Sequence, residues 1–134
     1  MSKFTFCHNP RYRLLPVLYK AKDLYLTWFN YYKTIPKIHR YSLGQKIDNF
    51  LIETISAIST ASFADKDKKI LNVSDAIQNI DTLKILLIIL WEAKSLNDKQ
   101  YIDLSVRIDE IGRMLGGWLG QLKKQNSPIK SGEK

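Results

Sequence analysis

The stretch Leu83-Lys84-Ile85-Leu86-Leu87-Ile88-Ile89-Leu90-Trp91-Glu92-Ala93 decides the fold. At 3.6 residues per turn, Leu83, Leu87 and Leu90 fall on one face of a helix. Ile85, Ile89 and Ala93 fall on another, with Leu86 between the two. A helix on the surface of a lone domain carries one apolar stripe, whereas one apolar nearly all round is buried on several sides. In 134 residues this leaves two readings: the central helix of a monomer, or a helix whose second stripe meets another copy. The second is the expectation, with Ile85, Leu86, Ile89 and Ala93 as the oligomer interface. Lys84, Glu92 and Lys94 interrupt the run far short of the roughly 18 apolar residues that a membrane crossing needs.

Helical spacing extends from this stretch in both directions. Ile70, Val73, Ile77 and Ile80 lead into it in steps of three and four, so this helix is expected to run to about Leu96. Asn97 with Gln100 then forms a capping pair for a following helix on Tyr101, Leu104, Ile108, Ile111, Leu115, Trp118 and Leu122. Upstream, Pro16 suits the first turn of a helix carrying Val17, Ala21, Leu24, Trp28, Tyr32 and Ile35, and Pro36 is expected to end it. Ser42 with Gln45 reads as a second capping box, opening a helix on Leu43, Ile47, Phe50, Thr54, Ile58 and Ala61 that fades near Ala64. Asp65–Lys69 reads as a charged turn. With no strand-period segment, the expected fold is all-α: an up-down-up-down antiparallel four-helix bundle over residues 17–124, assembled into a ring-like homo-oligomer. Residues 1–16 are expected to form an irregular arm and residues 125–134 a disordered tail.

Gly112, Gly116 and Gly117 interrupt the last helix, at roughly 1 kcal/mol each relative to alanine. Because Trp118, Leu119 and Leu122 resume the apolar pattern in phase, Gly112 and Gly116 are expected to mark close helix packing.

The net charge of +8 is unevenly placed. Up to Lys46 the chain holds nine basic residues and the single acid Asp23, and after it twelve of each. Such a localised excess points to an anionic partner. Aromatics interleave it: Arg11-Tyr12-Arg13, Tyr19-Lys20 and Tyr31-Tyr32-Lys33. Lysine and arginine neutralise phosphates, and aromatics can stack on unpaired bases. The candidate nucleic-acid or partner-binding residues are therefore Arg11, Arg13, Lys20, Lys22, Lys33, Lys37, Arg40 and Lys46.

No catalytic residue is expected. His8 and His39 are the only histidines, and neither has a ligand-spaced partner. Cys7 is the only cysteine, and Leu43-Gly44-Gln45 offers one glycine rather than a phosphate loop. Asp109 and Glu110 are adjacent, so on a helix they point apart; they read as a solvated face with Arg107 and Arg113. No metal or cofactor is expected. The opening residues show no secretory signal pattern, so the expected location is the cytoplasm.

Two segments carry a family resemblance. Ile35-Pro-Lys-Ile-His-Arg-Tyr-Ser-Leu-Gly-Gln-Lys-Ile47 resembles an interhelical joint, and Arg107-Ile-Asp-Glu-Ile-Gly-Arg-Met-Leu-Gly-Gly-Trp-Leu119 resembles a C-terminal helix, of one superfamily of small four-helix bundles. It includes the accessory variability determinant (Avd) of diversity-generating retroelements and proteins encoded by intervening sequences in 23S ribosomal RNA genes. The resemblance spans Val17–Leu122. It implies a basic homopentamer that partners a reverse transcriptase and RNA or cDNA during mutagenic retrohoming, without catalysing the copying itself. The alternative it leaves open is an intervening-sequence-type interaction protein with no polymerase partner.

Overall fold

The computed structural model describes residues 15–125. Five helices account for nearly all of them: α1 (Pro16–Tyr32), the single turn α2 (Lys37–Arg40), α3 (Leu43–Phe63), α4 (Lys66–Glu92) and α5 (Asp98–Gln125). No strand occurs among the described residues. The chain is all-α. The expected arm and tail, including Cys7, lie outside the described residues apart from their inner ends, Leu15–Pro16 and Gln125.

The periodic apolar residues are the core. Val17, Ala21, Leu24 and Trp28 of α1 meet Ile47, Leu51 and Ile58 of α3, Val73, Ile80, Leu83, Leu87 and Leu90 of α4, and Leu104, Ile108, Ile111 and Leu115 of α5, all buried. The long helices pack in a closed circuit, α1 on α3, α3 on α4, α4 on α5 and α5 on α1. Neighbours run antiparallel. Trp28, late in α1, donates to Asp48, early in α3 (3.1 Å). Lys84 of α4 reaches Asp109 of α5 at 3.7 Å, while Gly112, further along α5, faces Ile80, further back on α4. The packing is that of a helical bundle, with the α1–α3 joint and the α4–α5 turn at one end and the α3–α4 turn at the other.

Several boundaries differ from the expectation, each for a local reason. α1 stops at Tyr32, before Pro36, and Ile35 is buried from the loop. Pro36–Tyr41 holds the one-turn helix α2. Ser42 makes no cap: its hydroxyl donates back to Ile38 O at 3.2 Å, so the expected capping box is not formed. The charged turn contracts to Ala64–Asp65, because the Asp65 carboxylate accepts from the Lys68 amide (3.3 Å) and starts α4 early. α4 ends at Glu92 rather than Leu96. Lys94 turns left-handed (φ 70°), and the Ser95 amide donates back to Leu90 O at 3.0 Å. The capping pair at α5 does form: Asn97 Oδ1 accepts from the Gln100 amide (2.8 Å), and Gln100 Oε1 accepts from the Asn97 amide (3.1 Å).

Gly112 and Gly116 do not mark a close crossing within the chain. A Cβ at Gly112 would meet Ile80 Cγ2 at 3.6 Å, an ordinary contact, and one at Gly116 would meet nothing within 4 Å. The tight glycine is Gly44, where a Cβ would lie 3.0 Å from both the His39 carbonyl oxygen and Tyr32 Cε1.

Candidate nucleic-acid and association surfaces

The bundle distributes the basic residues of the first third over several surfaces. Arg11 and Arg13 lie outside the described residues. Lys20 crosses from α1 to α5, pairing with Glu110 at 3.2 Å. Lys22 lies 3.6 Å from Asp23, with its ammonium 5.3 Å from the centre of the Tyr19 ring. Lys33 closes α1 with its ammonium over the Phe29 ring (5.2 Å). Lys37 and Lys46 are exposed beside the α1–α3 joint.

Arg40 is spent on the joint itself. Its Nε and Nη2 donate to Ile35 O (3.1 and 2.9 Å), and Nη2 also donates to Lys33 O (3.2 Å). Carbonyls left without helical partners after α1 are thereby satisfied. Tyr32 Oη donates to Arg40 O (3.0 Å), and His39 Nδ1 lies 2.6 Å from Ser95 Oγ, tying the joint to the α4–α5 turn. Lys33, Lys37 and Lys46 are thus presented from a braced end of the bundle, while Lys20 and Lys22 flank α1.

The opposite end holds a basic cluster that the linear charge pattern does not announce. Lys66, Lys68 and Lys69 occupy the first turn of α4, and Lys123 and Lys124 the last turn of α5. The antiparallel register set by Lys84–Asp109 and Ile80–Gly112 brings these two turns to the same end. No ion pair with another described residue involves any of the five. Three lysines at a helix N-terminus carry the wrong sign for the helix dipole, each unfavourable by roughly 0.3–1 kcal/mol. That mismatch is the one signal in the sequence. It is hidden because Asp65 and Asp67 offset most of the local positive charge and because the segment reads as a turn.

The expected interface residues separate. Leu83, Leu87 and Leu90 face the core, while Ile85 and Ile89, on the side of α4 turned toward α3, remain 58% and 48% exposed. Leu86 packs partly against its own core, and Ala93 is exposed just past the helix. A separate surface involves α5. Ile102 and Val106 are exposed, and they lie on the part of α5 that Trp91–Tyr101 (rings stacked at 4.5 Å) and Lys84–Asp109 hold against α4. With Ile88 they make one aliphatic surface across the α4–α5 edge.

Asp109 and Glu110 are ion-paired to other helices, through Lys84 and Lys20. Arg107 holds Asp103 at 2.9 Å. No group of histidine, cysteine, aspartate and glutamate side chains among the described residues could hold a metal ion. No described helix is long and apolar enough to cross a membrane.

No curated protein matches the chain. A family model described as bAvd-like matches residues 17–122, which is the whole bundle from the first buried residue of α1 to the last of α5. The chain belongs to the bAvd-like family.

Proposed function

We propose that this protein is a non-enzymatic accessory protein of a diversity-generating retroelement. In this reading it acts in the cytoplasm as a ring of four-helix bundles, holding a reverse transcriptase and its template RNA or cDNA together during mutagenic copying. The observation that carries the reading is the family match over residues 17–122. The charge distribution supports it: lysines at both ends of the bundle form no ion pair with another described residue, and they suit the salt-sensitive, sequence-blind neutralisation of phosphates. The uncovered aliphatic surface on α4 and α5 supports self-association, since a patch of this kind marks an interaction site.

The test is co-purification of the full chain with the reverse transcriptase encoded beside it, at low salt, with and without template RNA. Stable capture is expected. Absence of capture at low salt overturns the proposed role.

A further inference from the structure

The single turn α2 is anchored on one side and bare on the other. At four residues it is far shorter than the roughly 12–15 at which a helix holds itself together in water, so its neighbours keep it folded. His39 Nδ1 lies 2.6 Å from Ser95 Oγ. Arg40 Nε and Nη2 donate to Ile35 O, and Arg40 O accepts from Tyr32 Oη. Gly44, at the start of α3, lies close against the His39 carbonyl. These contacts take His39 and Arg40. Tyr41 follows directly, with φ −96° and ψ 7°. Being four residues from Lys37 and three from Ile38, it shares the other side of the turn with them.

That other side faces solvent. Ile38 is 78% exposed and Tyr41 67%, and Lys37 is exposed beside them. No described ring stacks on Tyr41. The segment that builds this tip carries charge of one sign. From Leu24 to Ile47 the chain has no carboxylate, and Lys33, Lys37 and Lys46 are exposed within it.

A free phosphate would engage the lysines and leave Ile38 and Tyr41 unused. A purely apolar partner would engage Ile38 and Tyr41 and desolvate the lysines without pairing them, which is unfavourable. A ligand that carries a flat ring between two phosphates satisfies both sets of groups. An unpaired nucleotide within a strand has that form.

We propose that Tyr41 and Ile38 form a stacking platform for one unpaired base of single-stranded RNA or DNA, with the flanking phosphates on Lys37 and Lys46. The bracing through His39 and Arg40 fixes the backbone of the platform before the ligand arrives, which lowers the entropic cost of binding. This rests on the proposed nucleic-acid role and adds a preference to it. Lysines alone favour the more highly charged duplex, whereas a stacking ring favours a strand whose base faces are open.

The experiment measures binding of the full chain by fluorescence anisotropy, at several salt concentrations. The probes are a labelled single-stranded oligouridine, an abasic strand of equal length and charge, and a duplex of that length. Tyr41→Ala is expected to weaken binding to the oligouridine by roughly 5- to 100-fold with an unchanged salt slope, because a base contact and no phosphate contact is lost. The same variant is expected to match wild type on the abasic strand and on the duplex, and Tyr41→Phe to match wild type on all three. Lys37→Gln is expected to weaken binding to every probe and to flatten the salt slope. Ile38→Ser repeats the test beside the ring and is expected to weaken binding to the oligouridine alone. Tyr41→Ala binding the oligouridine as wild type does, or losing as much on the abasic strand, overturns the platform while nucleic-acid binding stands. Retained oligouridine binding with lost capture of the reverse transcriptase assigns the pair to a protein partner and likewise overturns it. A wild type that binds none of the probes at low salt overturns the nucleic-acid role as well.

Discussion

Tyr31 Oη donates a 2.6 Å hydrogen bond to Asp103 Oδ2, joining the last turn of α1 to the first turns of α5. Arg107 Nε donates to the other oxygen of the same carboxylate at 2.9 Å. The hydrogen bond from Tyr31, with the help of Arg107, holds the Asp103 carboxyl below the usual range; the same bond, with burial, pushes the Tyr31 phenol up. A lowered carboxyl contributes stability that is present above its ordinary value and lost as pH falls through the lowered one. The raised phenol contributes below its ordinary value, and that contribution disappears as alkali takes it through the raised one. Tyr31→Phe should therefore lower stability by about 1 kcal/mol near neutrality. The gap to wild type should narrow in acid, as Asp103 takes up its proton. Urea midpoints at pH 7 and pH 3 check both; a gap unchanged by acid would mean the bond is not made to the carboxylate.

Gly44→Ala tests the bracing of the α1–α3 joint. The added methyl would press at 3.0 Å on a backbone oxygen, that of His39, and on a Tyr32 ring held by its own hydrogen bond to Arg40 O. Overpacking of this kind costs about 1–3 kcal/mol, against roughly 1 kcal/mol gained in helix propensity. A net loss of up to about 2 kcal/mol is expected from denaturant unfolding, and a raised midpoint counts against the close approach.

Lys94→Gly should act in the opposite direction. Lys94 sits at φ 70°, a conformation that glycine adopts without the steric penalty of a Cβ. Relief of that strain exceeds the extra freedom given to the unfolded chain, so a gain of about 0.5–1 kcal/mol is expected. A thermal melt reads it directly.

The wrong-signed first turn of α4 makes a paired prediction. Replacing Lys66, Lys68 and Lys69 with glutamine should raise the melting temperature slightly, by removing positive charge from the positive end of the helix dipole. The same variant should bind single-stranded RNA more weakly and with a shallower dependence on salt. The log–log slope should fall by up to about 0.7 for each phosphate that is no longer neutralised. Lys33→Gln with Lys37→Gln is the comparison at the other end. An unchanged slope in the α4 variant and a reduced one in the comparison would move phosphate binding to the α1–α3 joint.

Every long helix, the Asn97–Gln100 cap and almost all of the core could be read from the sequence. These rest on spacing in threes and fours and on local hydrogen bonds, which neighbouring residues settle among themselves. The stretch Leu83–Ala93 announced both its buried and its outward stripe, because helical geometry alone sorts Leu87 from Ile89. The end of α4 could not be read, since a lysine rather than a glycine takes the left-handed position. Nor could the fate of Arg40, whose positive charge suggested a partner but whose guanidinium is consumed by two backbone carbonyls of its own loop. Only the tertiary structure set Lys66–Lys69 beside Lys123–Lys124, about fifty-five residues apart in the chain. It alone turned Ile38 and Tyr41 to solvent while tying Arg40, between them in the chain, to its own loop. Surfaces are assembled from helices that meet only after folding, so their composition depends on register and packing between segments, which a linear pattern of residues does not record.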